Sequence, residues 1–109
     1  MANIPKTLVI DLADTILAGA TKAVDAIPLS AFSALEYFVN TKSSSPDQRK
    51  FLKVLVQKTD MNVETQVYAR NGDPLNIEVD AFVNGGNAEL RLKNNEAFTI
   101  ELAATRIII

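Results

Sequence analysis

From Met61 to Ile109 the chain repeats one pattern: short runs in which apolar and polar residues alternate, separated by residues suited to turns. Val63 to Arg70, Leu75 to Val83, Ala88 to Lys93 and Ala97 to Ile109 are the runs; Asn71-Gly-Asp-Pro74, Asn84-Gly-Gly-Asn87 and Asn94-Asn-Glu96 are the breaks. A period of two puts alternate side chains on opposite faces of a strand, and Asn and Gly supply the turn conformations that reverse it. The pattern predicts an antiparallel sheet. Its buried face carries Val63, Thr65, Val67, Ala69, Leu75, Ile77, Val79, Ala81, Val83, Leu90, Leu92, Phe98, Ile100 and Leu102. Tyr68 and Phe82 are the two rings on the otherwise polar face. The last residues, Arg106-Ile-Ile-Ile109, lose the alternation. Three Ile side chains are worth about 4–6 kcal/mol if buried, so this segment is expected as an ordered strand, paired within the chain or added to a neighbour's sheet edge.

The first half reads differently. Between Thr7 and Ile27, Leu8, Leu12, Ile16, Ala20, Ala23 and Ile27 fall together on a 3.6-residue wheel, with Asp11, Asp14, Lys22 and Asp25 opposite, which predicts an amphipathic helix. Pro28 ends it and Ser30 caps a second helix over Ala31 to Val39, striped by Phe32, Leu35, Phe38 and Val39. Ser45-Pro-Asp-Gln48 carries the residue types of a helix start, predicting a third helix over the basic stretch that follows. Leu52, Val54 and Val56 also alternate, so a strand is the competing reading there. The expected class is therefore α+β in one domain: a helical part over residues 1–45, a basic helix or strand over 46–60, and a meander or sandwich-like antiparallel sheet of four or five strands over 61–109.

Composition narrows function by exclusion. The 109 residues include no Cys and no His, which removes disulfides, thiolate metal sites and the commonest general base. Asp11 and Asp14 interrupt the first apolar run, so neither a signal peptide nor a transmembrane segment is expected, and the chain reads as made in the cytoplasm. Asp11 with Asp14, and Glu78 with Asp80, are acid pairs that read as solvated faces rather than cation ligands or catalytic carboxylates. Neither glycine turn leads into a helix that would hold phosphate, and no cofactor is expected.

The reading is a non-enzymatic, homo-oligomerising assembly subunit, for instance a virion or tail component, meeting further copies or another particle-forming protein. Surplus apolar material marks its expected interface: Leu12, Ile16, Ala20, Ala23, Tyr68, Phe82, Ile107, Ile108 and Ile109. The alternative is a binding or regulatory module that contacts an acidic partner or nucleic acid through residues 49–58, with Arg49, Lys50 and Lys53 as anion ligands. One ring, Phe51, in that segment is a poor base-stacking platform, and the net charge of -2 provides no general attraction to nucleic acid.

Overall fold

A computed structural model describes residues 9–109, and its regular elements are eight strands and one short 3-10 turn. The strands are β1 (Val9–Ile16), β2 (Thr21–Pro28), β3 (Ala34–Ser44), β4 (Asp47–Thr59), β5 (Asn62–Gly72), β6 (Ile77–Asn84), β7 (Asn87–Asn94) and β8 (Ile100–Ile108), with the turn at Leu29–Ala31. They form two antiparallel sheets, one of five strands in the order β1-β8-β3-β4-β5 and one of three in the order β2-β7-β6. The chain crosses between sheets after β1, β2, β5 and β7. Because β1 pairs with β8 and β2 with β7, its two ends run side by side from one sheet to the other, as in a jelly-roll wrap. No helix among the described residues is long and apolar enough to cross a membrane.

Among the described residues the expected N-terminal helices are absent, and the fold is all-β rather than α+β; Thr7 and Leu8, where the expected first helix begins, lie outside the described residues. The first error has a simple physical cause. Leu8, Leu12, Ile16 and Ala20 are four residues apart, and a spacing of four satisfies both a helix turn and the even spacing of a strand face. What breaks the run is Gly19, at φ 71° in the turn between β1 and β2, with open space where a Cβ would stand. That glycine serves the backbone conformation of the turn. The predicted second helix is β3, where Leu35, Tyr37, Val39, Thr41 and Ser43 are buried in strict alternation. Phe38, on the other face, had completed a false helical stripe. The Ser45-Pro-Asp-Gln48 start signal makes a turn, with a cis Ser45-Pro46 bond, that leads into β4. The strand alternative holds there: Leu52, Val54 and Val56 share the buried face.

The alternation of the C-terminal half is real, but its runs divide between the sheets instead of forming one meander. β5 and β8 join the large sheet, and β6 and β7 the small one. Between the sheets lies one core of Ile16, Ile27, Leu35, Val39, Leu52, Val54, Leu75, Leu90, Leu92, Ile100 and their neighbours. Val83 departs from the expected face and is exposed. Arg106-Ile-Ile-Ile109 is not an edge: β8 lies between β1 and β3, so the segment completes its own chain's sheet.

Two buried polar groups organise this interior. Asn94 donates to the carbonyls of Ile16 at 3.1 Å and Phe98 at 2.8 Å and accepts from the Glu96 N–H at 2.9 Å, tying the end of β1 to the β7–β8 connection. The second is an ion pair. Arg106 Nη1 donates to both carboxylate oxygens of Asp25 at 3.0 Å, and the Tyr37 hydroxyl donates to Asp25 Oδ2 at 2.7 Å. Tyr37 and Arg106 are cross-strand partners on β3 and β8, whereas Asp25 comes from β2 in the opposite sheet. The side chains of the pair are 7% and 6% exposed. A register shift between Ala23 and Asp25 is the bulge that turns the acid inward.

Burial, and then the Asp25 carboxylate, push the Tyr37 phenol above its ordinary pKa of 10.0. A group whose folded pKa is raised contributes stability that is complete below its unfolded pKa and lost as the pH climbs past it. Thermal stability should therefore fall above about pH 10, and Tyr37→Phe should flatten that alkaline limb while costing about 1–3 kcal/mol at neutral pH. Parallel alkaline limbs in the two proteins would contradict this. Gly72 supplies a second test, because at φ 110° an added Cβ would stand 2.3 Å from the Arg49 carbonyl oxygen. Gly72→Ala should cost about 2 kcal/mol or more in urea unfolding, and an unchanged midpoint would count against the β4–β5 register.

Candidate functional site: the open face of the large sheet

The inner face of the five-stranded sheet is covered by the small sheet; among the described residues nothing covers its outer face. Register places the side chains of that face in rows. Ala13, Ala103, Asn40 and Phe51 follow one another across β1, β8, β3 and β4. On one side of this row stand Thr15, Glu101, Lys42 and Arg49; on the other stand Asp11, Thr105, Phe38 and Lys53, and beyond them Val9, Ile107, Glu36 and Leu55. The small side chains Ala13 and Ala103 leave a groove of about 580 Å³, walled also by Asn40, Lys42, Arg49 and Glu101. Its charges are largely answered locally, with Lys42 Nζ 3.5 Å from Glu101 and Arg49 Nε 3.8 Å from Asp47.

Beside the groove the face turns apolar. Phe38 and Phe51 stack with ring centroids 6.4 Å apart, and Lys53 Nζ lies 5.4 Å above the Phe38 ring. Tyr68 reaches over from β5 and donates its hydroxyl to Glu36, and that hydrogen bond raises the phenol's pKa. Phe38, Phe51, Leu55 and Ile107 are each half-buried by their own neighbours. The arrangement provides a contact surface that is polar at the Lys42–Glu101 end and more apolar toward Ile107 and Leu55.

The outer face of the small sheet has a different character. Arg91 and Lys93 on β7 stand opposite Asp80 and Glu78 on β6. Arg91 holds Glu89 at 2.9 Å and covers Phe82 with its guanidinium 4.7 Å from the ring centroid. Hydrogen bonds from Asn84 and then Arg91 hold the Glu89 carboxyl below its usual range. Asp11 and Asp14 are separated, since residues three apart on a strand face opposite ways. Asp11 accepts from Thr105 on the open face, and Asp14 pairs with Lys22 at 2.6 Å, which lowers its pKa. No group of three or more potential metal ligands occurs among the described residues.

The nine residues expected at an interface do not form one surface. Ile16 is in the core, and Leu12, Ala20 and Ile108 pack against it. Ala23, Tyr68, Phe82 and Ile109 are exposed at separate places, Tyr68 and Phe82 on opposite sheets. Ile107 and Tyr68 do lie on the open face, where both meet Glu36. The basic trio also divides: Arg49 and Lys53 share the open face, while Lys50 turns inward and donates to the Leu75 carbonyl at 2.8 Å. Sequence reasoning missed Asp25, Arg106 and Tyr37 as partners. The available signal was Arg106 in phase with Leu102 and Ala104 on a buried strand face, a charge that has to be answered from across the core.

No family model matches the sequence and no curated protein is similar to it. Among solved structures the fold resembles part of the Acinetobacter phage vB_ApiP_P1 tailspike protein, with a TM-score of 0.59 and 12% identity over 100% of this chain and 23% of that one. A tailspike protein of Acinetobacter baumannii bacteriophage Fri1, described as a capsular polysaccharide depolymerase, gives a TM-score of 0.47 and 14% identity over 98% of this chain and 19% of that one. The chain thus spans less than a quarter of either structure, and at such identities the likeness is one of fold.

Proposed function

We propose that this chain is a structural module of a phage particle, of the tailspike kind, which acts by assembling with further copies of itself rather than by catalysis. The observation that carries the reading is the match of the whole described sandwich to a part of one phage tailspike protein. The surface supports it. A five-stranded sheet with a face uncovered among the described residues, carrying stacked Phe38 and Phe51, half-buried Leu55 and Ile107, and several charges, suits protein contact better than the chemistry of a small substrate. Three carboxylates are tied to cations instead of standing free as acid or base, Asp14 to Lys22, Glu89 to Arg91 and Asp25 to Arg106.

Light scattering on the purified chain tests this. The 11.9 kDa polypeptide should show a solution mass of two or more copies at micromolar concentration. A monomer that persists as the concentration is raised would overturn the reading. Salt-sensitive capture of DNA that is lost on changing Arg49 and Lys53 to Gln would favour a binding module instead.

A further inference from the structure

We infer that Asn84, at the tip of the β6–β7 hairpin, is a site of spontaneous covalent modification: its side-chain amide cyclises onto the Gly85 nitrogen and the ring opens to aspartate and isoaspartate. The sequence contains two Asn-Gly pairs, Asn71-Gly72 and Asn84-Gly85. In such a pair no side chain shields the attacking backbone nitrogen, and glycine takes up the ring geometry most readily. Both pairs are exposed, so access to water does not tell them apart. Their backbones do.

The step is a condensation followed by a hydrolysis. The Gly85 nitrogen attacks Asn84 Cγ; the N–Cγ bond forms, the Cγ–Nδ2 bond breaks, and Nδ2 departs as ammonia with the proton given up by the Gly85 N–H. Water then adds to either carbonyl of the five-membered imide, leaving at position 84 an aspartate with the normal backbone or an isoaspartate whose backbone runs through Cγ. No electrons are gained or lost, and solvent is the only co-reactant. Ring closure requires the peptide after the asparagine to rotate until its nitrogen meets Cγ, so the rate depends on how freely that peptide turns.

At Asn71 the peptide is locked. Gly72 pairs with Lys50 across β4 and β5, and a Cβ built on it would stand 2.3 Å from the Arg49 carbonyl oxygen and 3.1 Å from Lys50 Cα. The next residue is held twice: the Asp73 N–H donates to the Arg49 carbonyl at 2.7 Å, and the Asp73 carboxylate accepts from the Arg49 N–H at 2.8 Å. Rotation there drives backbone into backbone and breaks this clasp. At Asn84 the chain reverses through two glycines, at φ 58° and 83°, with nothing within 4 Å of a Cβ on either. The turn is anchored at its second glycine, whose carbonyl accepts from the Leu29 N–H at 3.0 Å, so the Gly85 peptide is left to turn. The Asn84 side chain is restrained by one exposed hydrogen bond, Nδ2 to Glu89 Oε2 at 2.9 Å, of a kind that contributes little in water. Its conversion replaces that donor with a carboxylate facing Glu89 and adds one negative charge to a formal net of -2.

The test holds the purified chain at warm, mildly alkaline pH, folded in buffer and unfolded in urea, and follows both sites by mass spectrometry. Digestion after glutamate separates them, because Glu78 lies between. Each site's folded rate is divided by its own rate in urea, which removes differences between flanking sequences. The ratio at Asn84 should exceed that at Asn71 by about tenfold, equivalent to about 1.4 kcal/mol of barrier, with ammonia, isoaspartate and an acidic form on ion exchange appearing together. Asn84→Ser, folded by circular dichroism, should lose the acidic form; should that variant not fold, the two ratios decide alone. A ratio at Asn84 no larger than that at Asn71, or a folded Asn84 that stays unconverted while its unfolded counterpart reacts, would overturn the inference.

Discussion

Everything in this molecule depends on holding two sheets of unequal size in a single alignment, and the contact that specifies the alignment is the buried meeting of Asp25, Arg106 and Tyr37. Apolar side chains between sheets are forgiving, since Leu, Ile and Val tolerate a shift by exchanging neighbours. A charge is not forgiving. Arg106 comes from an inner strand of the large sheet and Asp25 from an edge strand of the small one, and a shift between sheets would leave both ions buried without partners. Such a pair adds little net stability over a well-packed apolar pair of similar volume, because desolvation offsets most of the attraction. Its effect is to make wrong alignments costly, and Tyr37 sharpens it by donating to the same carboxylate from β3.

The wrap of the chain explains why these residues in particular meet. β8 is the strand on which both halves converge, flanked by β1 from the start of the described chain and β3 from its middle. A bulge in β2 then rotates Asp25 out of phase with its strand and into the interior. The same topology leaves the outer face of the large sheet uncovered among the described residues: with the small sheet committed to the inner side, Phe38, Phe51, Leu55 and Ile107 are covered only by their neighbours on that face, such as Lys53 over Phe38.

How much of this could be read from the sequence follows from which periods are ambiguous. From Val63 onward the strands, their turns and most of their buried residues are legible, because strict alternation over six or more residues fits no helix and the Asn-Gly and Gly-Gly breaks are explicit. Their division into two sheets is not, since alternation says which face is buried and nothing of which sheet owns it. In the first half, Leu12, Ile16 and Ala20 recur every four residues and suit both structures; Asp14, on the strand's inner side but paired with Lys22 at the sandwich margin, spoiled the alternation that would have decided. Ser45-Pro46-Asp47-Gln48 has the side chains of a helix cap but serves as a hairpin turn. The open face was illegible for a related reason. Its apolar members come from three different strands, and only the register brings them together.

The most direct measurement of the alignment claim is a double-mutant cycle on Asp25→Ala and Arg106→Ala, read as unfolding free energy in urea. Each single change should cost about 3–5 kcal/mol by stranding a buried charge, and the double variant should be several kcal/mol more stable than the sum of the two losses implies, because it strands none. Additivity within about 0.5 kcal/mol would show that the two residues do not depend on each other, and the account of how the sheets are aligned would fail.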